Sequence, residues 1–98
     1  MSYLYTLAKH ARLAILRLLE DAPGYTSNVS IMTAVLPSFG IRYTRDQVEG
    51  EVRWLAENGM VTTEDHAGFT IATATTRGVE VAQGIAEHPG VQRPRPGA

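Results

Sequence analysis

The 98-residue chain contains no cysteine, which excludes disulfides, thiolate metal sites and thiol nucleophiles and suits a reducing compartment. It also lacks a long apolar run. The longest, Ile31–Leu36, contains Thr33 and is closed by Pro37, well short of the roughly 20 residues that cross a bilayer. No basic start followed by an apolar region and a small-residue cleavage site stands at Met1, so no secretory signal is read and the cytoplasm is the expected address. An excess of positive charge is missing as well. Nine Lys and Arg face ten Asp and Glu, for a net charge of −1, whereas a nucleic-acid-binding domain usually shows a basic balance or a basic face.

What remains is ordinary globular material, 44% apolar and 19% charged. A chain of this length buries roughly 60–65% of its unfolded surface around one core and cannot support two. From Tyr3 to Glu20, Leu4, Leu7, Ala8, Ala11, Ala14, Ile15, Leu18 and Leu19 recur at helical spacing, and Pro23-Gly24 follows as a stop. Asn28 can cap a short second helix through Val29, Ile31, Met32, Val35 and Leu36, ended by Pro37 and Gly40. Thr44 and Gln47 form a capping box for a third helix, whose core stripe is Val48, Val52, Leu55 and, in part, Trp54; Asn58-Gly59 closes it. Met60–Glu64 and Phe69–Thr73 are rich in β-branched residues and read as a hairpin around Asp65–Gly68. Thr75 or Thr76 can cap a last helix, Arg77–Ala86. The expected class is mainly α with a small β-hairpin. Residues 1–87 form one domain and 88–98, with Pro89, Pro94 and Pro96, an extended or mobile tail.

Three helices, a hairpin and a helix in that order is the layout of a winged helix-turn-helix. Val52–Val61 resembles the stretch of such regulators in which a helix ends "L-x-x-x-G-L-V" and enters the first wing strand, and Thr75–Ala82 resembles the "L-T-x-x-G-x-x-x-A" entry into their final helix. The pattern "A-R-L-A-I-L-R-L-L", "A-P-G-Y", "R-D-Q-V", "W-L-A-E-N-G-M-V-T" and "T-x-R-G-x-x-V-A", with Pro89–Pro94 in the tail, further resembles a family of small proteins of Mu-like phages and prophages, often labelled ArsR-like regulators. The resemblance covers Tyr3 to about Pro94. One feature of that label fails, because ArsR-type metal sensing places cysteine on the third helix and this chain has none.

The resemblance implies a recognition helix, residues 44–58, lying in the major groove of double-stranded DNA. The candidate contacts are Arg42, Tyr43, Thr44, Arg45, Gln47, Glu49 and Arg53, with Asp46 and Gly50 on the same outward side. Arg45 or Arg53 can pair with guanine, Gln47 with adenine and Thr44 with phosphate. Charge opposes this. Between Arg42 and Glu57 three arginines face Asp46, Glu49, Glu51 and Glu57, and the tip Glu64–Gly68 offers no Lys or Arg to a phosphate. The plainer reading is that Arg45, Glu49 and Arg53 form ion pairs one turn apart on a solvated face.

His10, His66 and His88 fall on the first helix, the tip and the tail, without zinc spacing; Ser27, Ser30 and Ser38 stand in no nucleophile motif; and no glycine sits in a phosphate-cradling loop. No enzyme activity, metal or cofactor is therefore expected. Two functions follow as expectations: a DNA-binding transcription regulator, or a winged helix contacting a protein partner in phage assembly or host takeover. The first helix, with Tyr3, Tyr5 and Ala14, can also serve a homodimer.

Overall fold

The structure is a computed structural model that describes residues 2–95. The order of elements is α1 (Tyr3–Asp21), β1 (Thr26–Asn28), α2 (Val29–Val35), α3 (Arg45–Glu57), β2 (Val61–His66), β3 (Phe69–Ala74) and α4 (Thr76–Gln83), with 3₁₀ turns at Pro23–Tyr25 and Leu36–Phe39. Among the described residues, four α-helices and one three-stranded antiparallel sheet make an α+β architecture.

The polar starts expected from the sequence are formed. Asn28 accepts the N–H of Ile31 at 2.8 Å. The Thr44 hydroxyl accepts the N–H of Gln47 at 3.2 Å while the Gln47 side chain accepts the N–H of Thr44 at 2.8 Å, so two otherwise orphaned helix donors are satisfied reciprocally. Thr75 accepts the N–H of Gly78 and donates to the carbonyl of Gly59 at 2.7 Å, which pins the start of α4 to the end of α3.

The hairpin is a correction to a simple two-stranded wing. Its second strand lies in the middle of the sheet, in the order β1-β3-β2. Thr26, Ser27 and Asn28 pair with Thr73, Ala72 and Ile71. The hairpin turn is tighter than expected, Ala67-Gly68 alone, with φ of 49° and 83°, the two positive values of a type I′ connection.

The core is built from α1, α2, α3, the strand ends and α4. Ile15, Leu16, Leu19, Met32, Leu36, Val48, Val52, Leu55 and Met60 are fully buried. In α1 the buried arc is wider than the expected stripe and includes Leu13 and Leu16, while Leu4, near the free end, is exposed. The last helix stops three residues early. Gly84 adopts a left-handed φ of 80° and its N–H caps the carbonyls of Glu80 and Val81, which ends α4 before Ile85 and Ala86. Gly78 is fixed by a close approach: a Cβ there would stand 2.0 Å from the Met60 carbonyl oxygen.

The tail differs most from expectation. Residues 88–95 lie against the body as a strap. Val91 is buried, the Gln92 N–H donates to the Lys9 carbonyl at 3.1 Å, and Gly90 is so close to Trp54 that a Cβ would stand 2.5 Å from its ring. A proline-rich segment has few backbone bonds of its own, and here buried Val91, the close-fitting Gly90 and hydrogen bonds to Lys9 and Arg12 dock it. Residues 96–98, the rest of the expected tail, lie outside the described residues.

Candidate interaction faces

Helix α3 presents two sides. On the strap side, Arg12 of α1 donates from Nε to Glu51 Oε1 at 2.8 Å and from Nη1 to the Gly90 carbonyl at 2.9 Å. Its guanidinium carbon lies 3.8 Å from the Trp54 ring centroid, a cation–π contact. His88 meets the same indole edge-on, with ring centroids 5.1 Å apart. The Tyr43 hydroxyl reaches Glu51 Oε2 at 3.5 Å, and burial, with the Glu51 charge behind it, raises the phenol above its usual range. Tyr43, an expected DNA contact, is thus half-buried and engaged with the body. Arg12, Glu51, Trp54 and His88 were not legible as a cluster, since Arg12 and Glu51 are 39 residues apart and no local pattern pairs them.

The outward side holds the other expected contacts. Thr44 and Gln47 are occupied with each other in the capping box. Arg45 donates from Nη2 to the Gly68 carbonyl at 3.3 Å and lies 5.7 Å from the Phe69 ring centroid, so it braces the hairpin turn. Arg53 and Glu49 form the expected pair one turn apart, at 3.2 Å. Glu49 also accepts the Thr70 hydroxyl at 2.6 Å, and Thr70 reaches Asp65 at 3.1 Å. That hydroxyl, more than Arg53, holds the Glu49 carboxyl below the usual carboxylate range, which favours its ionised form. Arg42 is exposed. Around this face three arginines (Arg42, Arg45, Arg53) meet five carboxylates, those of Asp46, Glu49, Glu57, Glu64 and Asp65.

A second face is apolar. Tyr3 and Phe39 are 76% and 59% exposed, and Ile31 is half-exposed. Two hollows meet at Phe39. One runs beside α1 along Tyr3, Leu7, His10, Ala14 and Arg17; the other lies between Leu18, Pro23, Ile31 and Val35. Of the expected surface residues Tyr3, Tyr5 and Ala14, Tyr3 lines the hollow, Tyr5 is exposed outside both hollows and Ala14 is packed into the core; the sequence carried no sign of Phe39, which follows Pro37 in a 3₁₀ turn and is brought beside α1 only by the fold.

Among the described residues no helix is long and apolar enough to cross a membrane. No protein-family model matches the chain, and no solved structure matches it significantly. Two known proteins do. An uncharacterized protein of Haemophilus influenzae is 36% identical over 78 residues, 79% of this chain and 76% of its own length. The uncharacterized protein gp26 of Escherichia phage Mu is 45% identical over 92 residues, 94% of this chain and 95% of its own. With nearly the whole of both sequences aligned at that identity, the chain belongs to the family of the phage Mu protein gp26.

Proposed function

We propose that this chain is a non-enzymatic protein-interaction module of a Mu-like phage, a winged helix whose α1–Phe39 face receives a protein partner. The element order, with a short α2, a turn, a capped α3 and a two-stranded wing, is compatible with the winged helix, and the ArsR-like label belongs to that same reading. The observation that carries the choice of partner is Glu49. Its ionised carboxylate, tied to Thr70 and Arg53, occupies the centre of the face that a groove-reading helix would turn to phosphates. The acidic tip, Glu64 and Asp65, adds to the repulsion. The exposed Tyr3, Ile31 and Phe39 line the kind of surface that marks protein contact.

A second reading, a DNA-binding regulator with α3 as recognition helix, is supported by the same element order and by the exposure of Arg42, Arg45 and Arg53. One titration separates the two. Fluorescence anisotropy against phage double-stranded DNA at low and at high salt is expected to show no specific complex. Specific binding that weakens by about 1–3 kcal/mol in Arg45→Ala or Arg53→Ala, and strengthens in Glu49→Gln, would establish the regulator instead. On the protein side, sedimentation of the purified chain tests a homodimer, and co-purification from infected cells tests a phage partner. Phe39→Asp is expected to abolish whichever complex forms without unfolding the chain.

A further inference from the structure

The two ring nitrogens of His88 do opposite jobs. Nδ1 accepts the backbone N–H of Gly90 at 2.9 Å, and Nε2 lies 3.2 Å from Asn58 Oδ1. Asn58 is oriented by its own amide, since Nδ2 donates to the Trp54 carbonyl at 2.9 Å, which leaves Oδ1 as an acceptor. Only the neutral imidazole with its proton on Nε2 satisfies both neighbours. The charged groups packed around the ring oppose a second proton. Arg12 approaches from α1 and Arg77 from α4, while the nearby carboxylates are engaged, Glu51 with Arg12 and Glu87 with Arg93.

We propose that His88 is a pH-sensitive latch that clips residues 88–95 to α3 when neutral and releases them when protonated. A proton on Nδ1 would set two N–H groups against each other across 2.9 Å, so Gly90 must withdraw. Gly90 cannot withdraw alone. Its carbonyl is an acceptor for Arg12 and its Cα lies against the Trp54 ring, so the movement loosens the cation–π stack. Val91 then leaves its buried position and the Gln92 bond to Lys9 is lost. Release uncovers Trp54 and the flank of α1, a surface that the closed chain hides.

The sign follows from the ring's surroundings. Burial, then the two arginines, lower the His88 pKa from its ordinary 6.5, so the released strap takes up the proton more readily than the docked one. Docking is therefore strongest above that value and weakens as pH falls below it.

Trp54 is the single tryptophan and reports the latch directly. The full chain is titrated from about pH 8 to about pH 5, following Trp54 emission and, by NMR, the His88 ring and the exchange protection of the Gly90 and Gln92 amides. The expected result is one shared transition, with docking falling by up to about tenfold per pH unit between the two pKa values. His88→Asn, which keeps a short acceptor for the Gly90 N–H and cannot take a proton, is expected to remove the transition. Amides that stay protected with steady Trp54 emission while His88 titrates would overturn the latch. So would a transition that survives in His88→Asn or follows His10 or His66.

Discussion

Glu49 and Glu51 stand two residues apart on α3, and each meets an arginine, but about 200° of helical rotation separates their surroundings. The Arg12–Glu51 side chains are 12% and 14% exposed, joined at 2.8 Å and sealed by Trp54 and the strap. The Arg53–Glu49 side chains are 56% and 35% exposed. The same chemistry therefore has two consequences. On the strap side, removing one partner leaves a charge with little water around it; on the outward side, water replaces the partner and salt screens the attraction. One helix thus carries a structural clamp and a solvated, acid-rich face.

The largest expected effect breaks the clamp. Arg12→Ala should destabilise the chain by about 3 kcal/mol, the lower end for a buried pair because Tyr43 still reaches Glu51. A urea titration giving less than about 1 kcal/mol would make the two sides of α3 energetically alike. Next, ending the chain after Glu87 should cost about 2 kcal/mol, chiefly the burial of Val91. It should also shift Trp54 emission to longer wavelength, whereas an unchanged melting temperature and spectrum would show that the strap does not hold in solution.

On the hairpin side the effects are smaller and one is favourable. Ala67 is held at a φ of 49°, where an L side chain is strained and asparagine is tolerated. Ala67→Asn should therefore stabilise the chain by about 0.5–1 kcal/mol, read as a higher melting temperature; a loss would mean that the turn departs from type I′. Smallest of all, Arg53→Ala should change stability by no more than about 0.5 kcal/mol, an effect that shrinks further at high salt. A cost comparable to that of Arg12→Ala would erase the contrast between the two glutamates.

The candidate faces were unevenly legible. The Arg53–Glu49 pair follows from residues one helical turn apart, and Arg45 and Arg53 were correctly placed outward. The second role of Glu49, as acceptor for Thr70, depends on the hairpin folding back beside α3. Phe39 became visible as a surface residue only when α1 came to lie beside its turn.

What the sequence determined by itself is local: the caps at Asn28 and Thr44, a threonine cap at Thr75 or Thr76, the helical phase that buries Val48, Val52 and Leu55, and the two β-branched-rich strands of the hairpin. Each depends on residues within a few positions of one another, where backbone periodicity and capping hydrogen bonds act. The tertiary structure decided the rest. Strand β1 is only three residues long and exists because Thr73, Ala72 and Ile71 offer it a ladder, and the strap is ordered because Gly90 fits a tryptophan. Such contacts are set by shape and burial between distant segments, which neither propensity nor spacing along the chain encodes.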